Sequence, residues 1–87
     1  MSAAEIIAKL QAAGRKLEEA KAKAAAAAQD ANEARTLVAG ALEGSAAGPL
    51  VGMIDKVRES LSQASGTAGP ATQQVQETIT KVQALGN

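Results

Sequence analysis

Phenylalanine, tyrosine, tryptophan, cysteine and histidine are all absent from this chain of 87 residues. Without aromatic rings the interior has to be assembled from Ala, Val, Leu, Ile and Met, so little apolar area is buried per residue. Without cysteine no disulfide can staple a small fold, and without cysteine or histidine the usual ligands of a structural zinc are missing. The same absences remove the thiol nucleophile and the imidazole base on which most small catalytic sites depend. A chain of this length is one domain and usually needs a staple, a metal or a companion chain to hold its fold. Only the companion is left. The composition therefore predicts no cofactor, no bound metal, no enzyme activity and a homo-oligomer.

Charge excludes further classes. Nine basic and nine acidic residues cancel to a net charge of zero. In the first half Lys9, Arg15, Lys16, Lys21, Lys23 and Arg35 are matched by Glu5, Glu18, Glu19, Asp30, Glu33 and Glu43. No basic patch marks a nucleic-acid partner. No apolar run approaches a membrane span, and Ser2 and Glu5 stand where a signal peptide would carry basic residues, so a cytoplasmic protein without an integral membrane segment is expected.

What is present is periodicity. Alternate steps of four and three from Ile6 pass through Leu10, Ala13, Leu17, Ala20, Ala24, Ala27, Ala31, Ala34, Val38 and Ala41 without meeting a polar residue. That is a heptad seam on a helix, not the alternation of a strand. Ser2, three residues before Glu5, suits the start of the helix as a capping box. Alanine, which fills most of 21–34, is the strongest helix former. One helix is expected over about 3–42, and 43–48 reads as a turn, with Gly44 and Gly48 supplying backbone freedom and Pro49 fitting the first turn of the next helix. Gly40, Gly44, Gly48 and Gly52 also fall four apart, a spacing that close helix packing uses, although it straddles the turn.

The second half repeats the seam through Leu50, Ile54, Val57, Leu61, Ala64, Ala68, Ala71, Val75, Thr78, Val82 and Leu85. Pro70 inside it has no N–H for the carbonyl of Gly66 and clashes with that carbonyl. With Gly66 and Gly69 beside it, a break or sharp kink is expected at 66–69, between helices at about 49–65 and 70–85 that share one heptad phase. The whole is an all-α antiparallel hairpin. Folded about Ala46, it sets Val38 opposite Ile54, Leu17 near Val75 and Leu10 near Val82, with Ala20, Ala24 and Ala27 facing Thr72, Ala68 and Ser65. Such small residues permit a narrow waist between the helix axes; the harmlessness of alanine in any helix explains its abundance equally well.

A lone hairpin cannot cover this much apolar surface. Ile7, Leu37, Leu42, Val51, Met53 and Ile79 widen both stripes beyond one partner helix. A second copy completing a dimeric four-helix bundle is expected, with Ile6, Leu10, Leu17, Ala24, Ala31, Val38, Leu50, Ile54, Val57, Leu61, Val75 and Val82 as the self-association seam. A different helical protein using the same stripe is compatible with that dimer.

Candidate chemistry is sparse. Glu18 and Glu19 are adjacent and diverge on a helix, and Asp30 with Glu33 offers too few oxygens for a cation. Ser60, Ser62 and Ser65 have no base, and no glycine loop cradles a phosphate. Lys9, Lys16 and Lys23 recur every seven residues, as a solvated flank does, although such a row can also steer an acidic helix.

The opening MSAAEIIAKL, the centre ARTLVAGALEG…LVGMID and the ending VQALGN resemble a family of short Ala-rich actinobacterial proteins of unknown function. That resemblance implies gene neighbourhoods with polymorphic toxins and type VII-like secretion components, and assigns no functional residue. In size and hairpin form the chain is also similar to WXG-type exported proteins, although it has no Trp-x-Gly turn and no C-terminal Tyr-based signal. That likeness alone would imply export by a route that needs no signal peptide, which the missing turn and signal leave unsupported, and the expected location stays cytoplasmic. The expectation is a non-catalytic interaction or scaffold protein that self-associates and binds a larger helical partner, such as a secreted effector or toxin. The alternative expectation is an amphipathic protein that coats a lipid or granule surface.

Overall fold

A computed structural model describes residues 1–42 and 46–86. Two helices form an antiparallel hairpin, α1 over Ala3–Ala41 and α2 over Gly48–Gly86. The rod measures 66 × 14 × 14 Å. This is the all-α hairpin that the heptads predict.

Its ends follow local chemistry. Ser2 is the N-cap of α1, extended in backbone, and its hydroxyl oxygen accepts the amide of Glu5 at 3.1 Å. One of the donors that α1 cannot satisfy internally is thereby partnered. At the other end the amide of Leu42 donates to the carbonyl of Val38 at 2.9 Å and the chain turns extended. α2 begins at Gly48, one residue before the expected start, and the amide of Val51 closes its first turn on the carbonyl of Ala47 at 2.9 Å. Pro49 therefore lies in that first turn, where a missing N–H costs nothing. Gly44 and the expected turn residues 43–45 lie outside the described residues. Gly40, Gly48 and Gly52 have open space where a Cβ would stand, so no helix approaches them and the four-residue glycine spacing makes no packing motif there.

Of the break or sharp kink expected at 66–69, the break is absent: α2 runs through Gly66, Gly69 and Pro70 as one helix. Three features explain why the helix continues. Pro70 is exposed, so its ring and the carbonyl it leaves unpaired meet water rather than protein. The residue whose carbonyl the ring would strike is Gly66, whose surroundings are open and which can tilt. On both sides of the proline Leu61, Ser65, Ala68, Thr72 and Val75 sit half-buried in one unbroken phase, so a break would forfeit contacts with α1 at either side.

Pairing between the helices is offset from the expected fold point. Val75 packs against Gly14, with Val75 Cγ1 3.6 Å from where a Gly14 side chain would begin. Arg35 meets Asp55, Asn32 meets Arg58, and Ala3 lies beside Gly86. All of these pairs centre about one residue before Ala46. Near the middle the Ser65 hydroxyl donates to the backbone carbonyl of Lys21 at 3.4 Å. So short a side chain reaches the neighbouring main chain only where the helix axes are close.

Candidate interaction surface

The inner rows determine what is left outside. Residues half-buried or buried between the helices follow Ile7, Leu10, Gly14, Leu17, then Ala24, Ala28, Ala31, Arg35 and Val38 on α1. On α2 they follow Val51, Ile54, Arg58, Leu61, Ser65, Ala68, Thr72, Val75, Ile79 and Val82. Of the expected seam, Leu10, Leu17, Ala24, Ala31, Val38, Ile54, Leu61, Val75 and Val82 therefore lie between the helices. Ile6 is half-buried at the side, displaced inward by Ile7. Leu50 and Val57 lie outside the contact within the hairpin, 41% and 53% exposed, and Val51 and Arg58 take the inner places.

The offset within the hairpin has one cause in both helices. Each apolar stripe is three rows wide, and the alternating series runs along two of them. The contact within the hairpin keeps the shared middle row, from Leu10 and from Ile54, and replaces the rows of Ile6 and Leu50 by those one residue later. Because the helices are antiparallel, the residue just before these later inner positions points to the same side of the hairpin on both. On α1 this side row is Ile6, Ala13, Ala20, Ala27, Ala34 and Ala41. On α2 it is Leu50, Val57, Ala64, Ala71, Thr78 and Leu85. No charged residue belongs to either row.

The opposite side is polar. Arg35 Nε donates to Asp55 Oδ1 at 2.7 Å, and Arg58 Nη1 donates to Asn32 Oδ1 at 2.9 Å. Arg58 Nη2 also lies 3.4 Å from Asp55 Oδ1, so one carboxylate joins two guanidinium groups. Asn32 and Asp55 follow the inner residues Ala31 and Ile54 and mark the side away from the uncharged rows. An open groove of about 640 Å³ on this side is lined by Gln11, Gly14, Arg15, Glu18, Glu19, Thr72 and Gln76. Glu18 and Glu19 thus border one groove instead of diverging fully. Among the described residues no three acidic, histidine or cysteine side chains gather into a metal-binding group. Lys16 pairs with Glu19 at 3.3 Å in full solvent, and such a pair contributes little.

Sequence reasoning missed the Arg35–Asp55–Arg58–Asn32 bridge because it followed the series free of polar residues. The available signal was opposite charge at mirrored distances from the turn. Side-chain exposure of 41% for Arg35 and 36% for Asp55 keeps the bridge partly hydrated, so it selects the register of pairing more than it adds stability. The lysine row Lys9, Lys16 and Lys23 is exposed beside the uncharged rows, and Asp30 and Leu37 continue it.

The model of a family of unknown function, DUF6244, matches residues 1–87. The chain belongs to that family. No curated protein matches it, and no solved structure does. The two-sided hairpin of this DUF6244 chain therefore has to be interpreted from its own surface. Among the described residues no helix is long and apolar enough to cross a membrane.

Proposed function

We propose that this protein is a non-catalytic helical interaction protein that self-associates and offers its remaining surface to a larger helical partner. One observation carries the proposal. The hairpin exposes 6023 Å², whereas a folded monomer of 8.7 kDa exposes about 4,700 Å² by the usual scaling with mass, an excess of about 1,300 Å². Among the described residues Ala47 and Ile79 are the only buried apolar side chains, while Leu37, Met53 and Leu85 stand 73%, 66% and 87% exposed. Two helices cannot enclose a core; they create contact surface. The effector or toxin class implied by the sequence resemblance names where the larger partner is to be sought.

Sedimentation equilibrium over a wide concentration range, with helix content followed at the same concentrations, tests this. The expected result is a dimer whose helicity falls only when dilution separates the copies, because folding and association are then linked. A fully helical monomer at every concentration would overturn self-association. A monomer that floats with lipid vesicles would favour the alternative, a coat on a lipid or granule surface, for which the missing aromatic anchors are a disadvantage.

A further inference from the structure

We infer that the uncharged side of the hairpin is where a second copy of this chain docks, leaving the polar bridge and its groove facing outward on both copies. The inference rests on the self-association proposed above and assigns the surface that performs it.

Area sets the scale. A standard interface buries about 800 Å² on each partner, and the excess exposure of about 1,300 Å² per chain is enough to supply it. The side row of α2 and that of α1 run nearly the full length of the rod, so one face can contribute this area.

The character of the face fits a copy of itself. In a two-fold contact each residue meets the same surface on the other chain, so a charged row risks setting like charges together. Here the rows contain none, and the net charge of zero removes bulk repulsion between copies. The α2 row also reads alike in both directions: Leu50, Val57 and Ala64, then Ala71, Thr78 and Leu85, with Val and Thr of nearly equal shape. Large residues end the row and small ones fill its middle, so a two-fold brings equivalent sizes into the contact. The α1 row, alanine after Ile6, adds no bulk that would hold the copies apart. The opposite side lacks these properties, since a contact there would bury the charged groups of Arg35, Asp55 and Arg58 and compete with their existing hydrogen bonds.

The test compares the two sides in the full-length chain. Ala64→Lys places a charge on the uncharged side, and Gln76→Lys places the same charge on the polar side; both positions are exposed in the single hairpin. The expected result is a dissociation constant raised about a hundredfold or more by Ala64→Lys, because a charge is desolvated in each copy, and a change of less than about threefold for Gln76→Lys. A milder pair guards against misfolding: single cysteines Ala64→Cys and Gln76→Cys, followed by alkylation. Protection of the first thiol that grows with protein concentration, with the second reacting at a constant rate, supports the assignment. A dimer that tolerates Ala64→Lys and leaves Cys at 64 freely alkylated overturns the assignment while self-association stands. A wild-type chain that stays monomeric removes both.

Discussion

Replacing Pro70 by alanine discriminates between a continuous α2 and a broken one. In the structure the helix passes through Pro70, so the variant regains an amide positioned to donate to Gly66 and loses the contact between ring and carbonyl. Proline in a helix interior is about 3 kcal/mol less favourable than alanine. Two corrections apply. Pro70 is exposed and forms no part of the inner rows, so truncating it sacrifices little packing. Proline also restricts the unfolded chain, and removing it returns about 0.4–1 kcal/mol to that state. The net expectation is a gain of about 2 kcal/mol, which for a domain of this size raises the melting temperature by roughly 8–16 °C. Far-UV circular dichroism melts of both proteins at one fixed concentration measure it, since the midpoint of a self-associating chain, as proposed here, depends on concentration. If 66–69 were a true break between two helices, the new amide would have no helical acceptor and the longer segment would resist bending. Unchanged or lowered stability on Pro70→Ala would therefore refute the continuous helix and restore the hinge.

Two further substitutions probe the contact between the helices. Gly14→Ala is expected to stabilise by about 1 kcal/mol, because the new methyl would sit 3.6 Å from Val75 Cγ1, an ordinary contact, and the helix loses a flexible residue; a destabilised variant in urea titration would mean the axes are closer there than described. Asp55→Ala should lower stability by about 1 kcal/mol, and the double variant with Arg35→Ala should show a coupling of about 0.5 kcal/mol, small because both groups are partly exposed; additive effects in the same titration would remove the bridge as a register-setting contact.

The helices, their caps and the hairpin were legible because each depends on neighbours in sequence. Ser2 and Glu5 are three apart, the apolar stripe repeats every seven residues, and alanine favours helix wherever it lies. Pro70 misled for the opposite reason. Its local cost is real, but α2 is 39 residues long and packs on α1 at either side of the proline, so contacts remote in sequence outweigh one lost hydrogen bond. The width of the stripes misled in a second way. A stripe three rows wide contains two overlapping heptad seams, and nothing in a single helix says which pair of rows its neighbour will occupy.

Pairing between the helices resolves that ambiguity, and it does so through residues that a purely apolar reading discards. In the observed register Arg35 and Arg58 find Asp55 and Asn32, and Gly14 leaves space for Val75. Had the hairpin closed on the apolar series alone, Leu50, Val57 and Leu85 would be spent inside it. Arg35 and Arg58 would then lie outside that contact, and the large apolar Ile7, Val51 and Ile79 would be left exposed. The actual register places a polar bridge partly within the contact between α1 and α2 and holds the better apolar row in reserve on one side. A chain without aromatics, cysteine or histidine has few means of stabilising a fold. That this one also keeps an uncharged row of leucine, valine and alanine out of its own contact is the ground on which we propose a contact with another chain.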